Sequence, residues 1–187
     1  MKDLIINILD RYFVLYSNEV NRLEKFKDFI NNSTDEELSD WNNFNGHIVA
    51  SAFIYAKNEK KLLLVYHNDF NMYVYPGGHM EFDDNTPLEA AIREIKEETG
   101  LDNLEQVVIG DDILVPIDID IHNIEYNEKL DLPRHYHFDF RYLFVVDDIK
   151  DITLDSEELS DYKWVSIKDV EDKFGGVLDK VKRIVNL

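Results

Sequence analysis

Cysteine is absent from this chain of 187 residues. That absence excludes disulfides, thiolate nucleophiles and cysteine-ligated zinc sites. Any bound metal must then use carboxylates, histidines or carbonyl oxygens, which favours hard ions such as Mg²⁺ or Mn²⁺. Apolar runs approaching the roughly 20 residues that span a bilayer are also missing. Residues 1–13 carry acids and an asparagine where a signal peptide needs an apolar stretch, so we expect a cytoplasmic protein.

Basic residues are scarce: 20 lysines and arginines stand against 39 acidic residues, which gives a net charge of −19. A surface this acidic repels the nucleic-acid backbone and anionic membranes, so neither is expected as a partner. An anionic small molecule would need a bound cation or a few arginines to approach. Apolar residues make up 44% of the sequence, which predicts one globular domain, with or without a short appendage.

A turn-rich segment at 42–46 divides the chain into two parts. Residues 1–42 repeat apolar side chains at helical spacing and are predicted to form a helical N-terminal extension. Residues 43–187 mix strand and helix signals, which indicates a layered α/β domain. Strands are expected at 47–56, 62–66, 73–75, near 106–122, at 135–147 and at 162–166, with helices at 87–99 and within 168–186.

The helix expected at 87–99 has strong signals at both ends. Thr86 can cap it and Pro87 suits its first turn. Glu89 would complete a capping box with Thr86, and Gly100 suits a left-handed C-terminal cap. Four apolar residues form one face that should bury against a sheet: Leu88, Ala91, Ile92 and Ile95.

The polar face of this helix is unusual, because Glu94, Glu97 and Glu98 project to one side. Like charges at this spacing cost roughly 0.2–0.5 kcal/mol per pair in an exposed helix. A divalent cation reverses the sign of that interaction, since converging carboxylates form a hard-metal site. Arg93 lies four residues from both Glu89 and Glu97 and could orient a ligand carboxylate. The alternative is a solvated acidic face with no ligand.

A tight loop of low bulk, Pro76-Gly77-Gly78, precedes the helix and could bring backbone groups close to a metal or phosphate. Together, the segment GGHMEFDDNTPLEAAIREIKEETGL resembles the Nudix box, G-x5-E-x7-R-E-U-x-E-E-x-G-U with U aliphatic. The second half matches in register from Arg93 to Leu101. The first half departs from the pattern: one extra residue separates Gly78 from the arginine, and no Glu fills the first-Glu position, for which Asp84 is the closest substitute.

The resemblance implies a Nudix-type α/β/α sandwich with a mixed sheet, behind the helical extension. It implies hydrolysis of a diphosphate linkage in a nucleoside diphosphate joined to another moiety, by attack of water at phosphorus. By the same resemblance, Glu94, Glu97 and Glu98 bind Mg²⁺ or Mn²⁺, with the Gly77 carbonyl as a further ligand. Metal ions would neutralise the charge of the diphosphate and activate water.

The family often uses another acid from a loop before the last strand. Glu158, six residues before Trp164, fits that place, and Glu157 is its neighbour. The alternative is that both are surface acids of an acidic loop with no part in catalysis. Some members that cleave ADP-ribose carry a proline about 15 residues beyond the box, where this chain has Pro116. One proline is weak support for that substrate.

Two later segments alternate polar and apolar residues, which puts each polar set on one face of a strand. The polar sets are Asp118, Asp120 and His122 in the first segment and His135, His137, Asp139 and Arg141 in the second. If the strands pair, these faces lie side by side. They could be exposed to water, could hold a His/Asp zinc site, or could line the substrate cleft. In the last case His122, His137 or Arg141 would contact phosphate or sugar.

Three other functions compete with hydrolysis of a diphosphate. An isomerase of the same fold acting on isopentenyl diphosphate relies on a cysteine, which this chain lacks. A generic acidic interaction protein would make the box a coincidence. A non-catalytic Nudix-fold ligand-binding module is the main alternative to an enzyme. The expected partner is a small nucleotide-type substrate, and a homodimer is left open.

Overall fold

The computed structural model describes residues 1–126, 128, 131–170 and 176–186. Its helices are α1 (Lys2–Leu15), α2 (Glu24–Asn32), α3 (Asp35–Ser39), α4 (Pro87–Thr99) and α5 (Val177–Ile184), with a 3₁₀ turn at Ser17–Glu19. Its strands are β1 (His47–Ala56), β2 (Lys61–His67), β3 (Met72–Val74), β4 (Gly77–His79), β5 (Glu105–Gln106), β6 (Asp118–Ile124), β7 (His135–Val146) and β8 (Leu159–Ser166). Within these ranges no helix is long and apolar enough to cross a membrane.

The strands form one mixed sheet, as the sequence predicts. Its main path runs β3-β2-β1-β7-β5, while β4 pairs with β1, β6 with β7 and β8 with β2. The pairing of β1 with β7 is parallel and extends from His47 opposite His137 to Ala56 opposite Val146. Strands β2 and β4 both pair with β1 in the antiparallel sense.

The two faces of the sheet carry different layers, because side chains alternate along a strand. Even-numbered residues of β1 and β7, such as Ala50 and Phe140, share a core with Leu88, Ala91 and Ile95 of α4. Odd-numbered residues further along the same strands share a second core with α5. That second core includes Phe53, Tyr55, Leu143, Val177, Leu178 and Val181. The result is the expected α/β/α sandwich.

The N-terminal helices pack against the same even-numbered face as α4. Phe26 stacks on Phe138 with ring centroids 4.6 Å apart, and Phe29 stacks on that ring at 4.5 Å. Apolar residues of α1, including Ile5 and Ile8, are buried in the same core. Residues 1–42 are thus helical as predicted, whereas their status as a unit separate from 43–187 stays a prediction.

One strand prediction is wrong in extent. In place of a continuous strand near 106–122, the two-residue β5 is followed by an irregular segment, and β6 begins only at Asp118. Gly110 has a φ of 71°, a left-handed conformation that interrupts a strand, and Pro116 has no N–H to donate to a sheet. Residues 171–175, part of the expected C-terminal helical region, lie outside the described residues.

Candidate active site

Helix α4 begins close to the sequence prediction, with one difference at its cap. The Thr86 hydroxyl accepts a hydrogen bond from the Glu89 backbone N–H at 3.0 Å. The Glu89 carboxylate, however, accepts from the backbone and side chain of Asn85 instead of closing the capping box on Thr86. Gly100 has the predicted left-handed conformation, with a φ of 68°. Ile92 was expected on the buried face but is 48% exposed, because it lies at the margin of the contact with the sheet.

Gly77 and Gly78 bring strand β4 unusually close to its neighbours. A Cβ on Gly77 would lie 2.4 Å from the Ala50 carbonyl oxygen, and the φ of Gly77 is 153°. A Cβ on Gly78 would lie 2.5 Å from Oε1 of Glu94. The Gly77 N–H donates to Oε2 of Glu98 at 3.0 Å. The sheet edge therefore meets the glutamates of α4 without any intervening side chain.

Of the three box glutamates, Glu98 is buried and Glu94 is half-buried, and the charge of Glu94 disfavours that of Glu98. Glu98 is 4% exposed, and burial together with the charges of Glu94 and Glu158 raises its pKa to about 8, although the Gly77 N–H opposes that rise. Burial also raises the pKa of Glu94 to about 7, with further contributions from Glu97 and Glu158. Buried, mutually repelling carboxylates suit a hard divalent cation, which would compensate their charge. Glu97 is more exposed, at 55% of its side chain.

Arg93 connects the acids of the helix to the preceding loop. Its Nη1 donates to Glu94 and to Glu97, both at 2.9 Å. Its Nη2 donates to the His79 carbonyl at 2.8 Å and to Asp84 at 2.9 Å. The predicted pair with Glu97 is confirmed, while the predicted pair with Glu89 is wrong because Glu89 bonds to Asn85. Burial lowers the pKa of Arg93, but these carboxylates outweigh it and raise the pKa, so the guanidinium stays charged.

Asp84, which stands nearest the missing first Glu of the box, is 7% exposed. Besides binding Arg93, it accepts a hydrogen bond from the Glu81 backbone N–H at 2.8 Å. Asp84 thus fixes both the loop and the arginine, which is the kind of support that a carboxylate at the first-Glu position would give.

The loop between β7 and β8 folds onto the C-terminal end of α4. The Thr153 N–H donates to the Thr99 carbonyl at 3.0 Å, and the Asp155 N–H donates to the Glu98 carbonyl at 3.4 Å. The charge of Glu158 contributes to the raised pKa of both Glu94 and Glu98, so this acid lies within electrostatic range of them. Asp155 also raises the pKa of Glu98. Sequence reasoning did not single out Asp155; its position three residues before Glu158 was the available signal.

The two polar segments, whose pairing the sequence left open, form neighbouring antiparallel strands. Opposite residues are Asp118 and Arg141, Asp120 and Asp139, and His122 and His137. These residues belong to the odd-numbered face of β7, whereas α4 packs on the even-numbered face. The structure therefore does not bring His122, His137 or Arg141 together with Glu94, Glu97 and Glu98.

Arg141 is 4% exposed and is neutralised within the protein. It donates to Asp139 at 2.8 Å, to Asp120 at 2.9 Å and to Asp118 at 3.3 Å. A guanidinium held by three carboxylates has little capacity left for a phosphate. A contribution of His122, His137 or Arg141 to substrate binding stays a prediction.

A buried ion network around Asp118, which the sequence did not reveal, extends this polar face. Asp118 is 2% exposed and accepts hydrogen bonds from Lys180 of α5 at 2.7 Å and from Arg22 at 3.3 Å. Lys180 also donates to the Tyr12 hydroxyl at 2.8 Å and pairs with Glu19 at 2.6 Å. The network joins α1, α5 and β6, so its evident role is structural.

Comparison with known proteins identifies a matching family and a curated relative. Residues 46–183 match the family model described as the NUDIX domain. A curated protein of Lactococcus lactis subsp. cremoris (strain MG1363), named "Probable DHNTP pyrophosphohydrolase", is 31% identical over 116 residues, which is 62% of this chain. The match spans 64% of the length of that relative, just under two thirds.

Solved structures with low identity share the fold. The Ap4A hydrolase of C. elegans superposes with a TM-score of 0.57 at 20% identity, over 74% of this chain and 97% of that chain. The dihydroneopterin triphosphate pyrophosphohydrolase of E. coli gives a TM-score of 0.51 at 17% identity, over 75% of this chain and 96% of that chain.

Proposed function

Because the chain belongs to the Nudix family, we propose that it hydrolyses a diphosphate linkage in a nucleotide-type small molecule with Mg²⁺ or Mn²⁺. The observation that carries this proposal is the group of acids beneath the glycine loop. Glu98 is buried and Glu94 is half-buried, each is disfavoured by neighbouring negative charge that includes Glu158, and Gly78 has no side chain to separate β4 from Glu94. Such an arrangement is costly in itself and becomes favourable when it binds a cation.

Each acid has a distinct part in the proposed reaction. Glu94, Glu97 and Glu98 would hold the ion together with the Gly77 carbonyl. The ion, when bound, neutralises the charge of the diphosphate and lowers the pKa of a water molecule. Arg93 orients Glu94 and Glu97 through Nη1, and Asp84 holds Arg93 in place.

Glu158 is the proposed acceptor for the proton of the attacking water. It lies next to Glu94 and Glu98 without belonging to their helix, so it can act on a water that those acids help to position. The proton leaves the water as the oxygen attacks phosphorus, and the bridging oxygen departs with the second phosphate product.

The substrate class is proposed from the chemistry of the site and from the names of the relatives. Those names refer to DHNTP, to dihydroneopterin triphosphate and to Ap4A, all of which contain phosphate anhydride bonds. The net charge of −19 disfavours approach of such anions, and the metal ions would offset that locally.

A substrate panel tests the proposal. Purified full-length protein with Mg²⁺ or Mn²⁺ would be incubated with pterin and nucleoside triphosphates, dinucleoside polyphosphates and ADP-ribose, and phosphate products would be measured. We expect hydrolysis of at least one compound, abolished by excess chelator. The Glu98→Gln variant should lose activity by orders of magnitude while remaining folded. Binding of these compounds without turnover would support the alternative of a non-catalytic ligand-binding module instead.

A further inference from the structure

Five of the six histidines of the chain gather at one end of the sheet. They are His47, His79, His122, His135 and His137. Strands β1, β4 and β7 supply the central three, because His47 lies opposite His137 and Val49 lies opposite His79. His47, His135 and His137 occupy odd-numbered positions of β1 and β7, on the face of the sheet that α4 does not cover.

His47, His79 and His137 have the mutual spacing of metal ligands. One ring nitrogen from each lies within 4.8 Å of the others. Their ring centroids are 4.8, 4.8 and 5.3 Å apart. Three imidazoles bound tetrahedrally at about 2.0–2.1 Å would place their centroids about 5 Å apart.

His47 supplies an independent observation, since it is a buried polar side chain without a partner. It is 1% exposed, and neither ring nitrogen makes a hydrogen bond of normal geometry to a described residue. The Asn43 carbonyl lies near enough to influence its pKa, but burial outweighs that effect and lowers the pKa to about 3. The imidazole is therefore neutral near pH 7. A buried, neutral ring with an unused lone pair needs a partner, and a metal ion supplies one.

His135 extends the set to a fourth ring. Its Nδ1 lies 2.7 Å from the Pro133 carbonyl, which can only accept, so Nδ1 is the donor of that hydrogen bond. The Nε2 of His135 lies 3.2 Å from Nε2 of His137. His135 therefore packs beside the three mutually close rings and holds His137 in place.

We propose that His47, His79 and His137 bind one divalent transition-metal ion, of which Zn²⁺ is the representative. Imidazole nitrogens select such ions over Mg²⁺ and Mn²⁺, which prefer oxygen ligands. The site is separate from Glu94, Glu97 and Glu98, which come from the opposite side of the sheet. It does not rest on the proposed hydrolase activity.

A metal ion bound by His47, His79 and His137, here called the His site, would hold three strands together. It would clamp β4 to β1 and β7 at the residue that follows Gly77 and Gly78. The His79 carbonyl accepts a hydrogen bond from Arg93, which holds Glu94 and Glu97. Metal bound at the His site would thereby fix the backbone of the glycine loop next to the acidic site.

The test uses the full chain, freed of metal with chelator and titrated with Zn²⁺ by calorimetry and with Co²⁺ by visible absorption. We expect one tightly bound Zn²⁺ per chain, the intense absorption of tetrahedral Co²⁺, and a rise in the thermal midpoint. His79→Ala, at the exposed member of the site, and His137→Gln should each weaken binding at least about tenfold. Circular dichroism would check that both variants remain folded.

Two control variants separate this site from others. His67→Gln changes the one histidine outside the cluster and should leave Zn²⁺ affinity unchanged. Glu98→Gln changes the acidic site and should also leave it unchanged. The proposal is overturned if the wild type binds no Zn²⁺, if His79→Ala and His137→Gln bind it as tightly as the wild type, or if Glu98→Gln abolishes binding. The first outcome would mean that the histidines pack only against one another.

Discussion

Glu157 and Glu158 are adjacent in the loop between β7 and β8, yet their surroundings differ. The charge of Glu158 raises the pKa of Glu94 and of Glu98. The Glu157 backbone N–H, in contrast, donates a hydrogen bond to the Asp155 carboxylate at 2.9 Å. The pair offers a matched comparison, because each change to glutamine removes one charge from the same loop and leaves the shape nearly unchanged.

We expect Glu158→Gln to lower kcat by at least about tenfold with little change in KM, since a proton acceptor acts mainly in the transition state. Glu157→Gln should leave both constants within about twofold. Steady-state kinetics on the best substrate of the panel would check this. An equal loss in both variants would assign the effect to the charge of the loop instead of to Glu158.

Gly78 is the second position at which a small change in one side chain tests the acidic site of Glu94, Glu97 and Glu98. Alanine there would place a Cβ 2.5 Å from Oε1 of Glu94, which must then move. A carboxylate at the end of a flexible side chain can shift at small cost in stability, so we expect Gly78→Ala to unfold at nearly the wild-type denaturant concentration. Its apparent affinity for Mg²⁺ should fall at least about tenfold, because a proposed ligand would be displaced. Chemical denaturation and metal titrations of activity give the two readings.

A comparison with Gly77→Ala sharpens that prediction. There the added Cβ would meet the Ala50 carbonyl oxygen at 2.4 Å, which is backbone and has no room to move. Gly77→Ala should therefore lose stability as well as activity. Similar stability losses in the two variants would show that Glu94 is less free to shift than the structure suggests.

Among the elements, α5 joins the sheet through one buried charge in addition to its apolar core contacts. Lys180 is 8% exposed and balances Asp118 and Glu19, at 2.7 and 2.6 Å. Replacing it with methionine would remove one of the two cations that Asp118 and Glu19 share, and would leave the half-exposed Arg22 as the other. We expect Lys180→Met to lower the free energy of unfolding by about 3 kcal/mol, as is typical when one partner of a buried ion pair is removed.

Lys182 in the same helix is the matched control. Its only described ion pair, with Asp179, is 4.0 Å long, and both side chains are partly exposed. Lys182→Met should change the free energy of unfolding by no more than about 0.5 kcal/mol. Urea denaturation of both variants would decide whether the buried network or the general loss of positive charge governs stability.

At the level of elements, sequence patterns succeeded where the determining interactions are local. The caps at Thr86 and Gly100 and the spacing of the glutamates define α4 without reference to the rest of the chain. The segment from β5 to β6 was less predictable, because apolar residues there suggest a strand while its irregular backbone depends on which residues pack beneath it. The hydrogen bond of Arg93 to Asp84 and the electrostatic effect of Glu158 on the helix acids also depend on tertiary folding.

For the molecule as a whole, the family and the sandwich could be inferred from the box and the strand order. The cluster of histidines could not, since it depends on the register of β1, β4 and β7. Sequence alternation placed His135 and His137 on one face, but only the parallel pairing with β1 brings His47 to them. Which face of the sheet α4 covers was also not predictable, because alternation shows which residues share a face and does not show which face the helix packs against.

Stability should depend on pH through the buried acids. Burial raises the pKa of Glu94 to about 7 and of Glu98 to about 8, above the ordinary value of 4.5. The folded protein then holds more protons than the unfolded chain between about pH 4.5 and 8, so stability falls as pH rises through that window. In the presence of chelator we expect these two groups to lower the free energy of unfolding by several kcal/mol across that window.

The Glu98→Gln variant isolates this effect from the other titrating groups. It should lose less stability than the wild type between pH 5.5 and pH 8 in chelator, and Mg²⁺ should restore stability to the wild type more than to the variant. Urea denaturation at the two pH values provides the measurement. Parallel pH profiles for the two proteins would contradict the pKa assignment for Glu98.

The parallel pairing of β1 with β7 also has a consequence for how the chain reaches its native state. Strand β1 is made early during synthesis, but its partner β7 follows only after nearly half of the chain. Until residues 135–146 leave the ribosome, one edge of an apolar strand has no native neighbour and remains open to pairing with other chains. Contacts of such high order slow folding, and a chain stalled before residue 135 should aggregate in preference to folding.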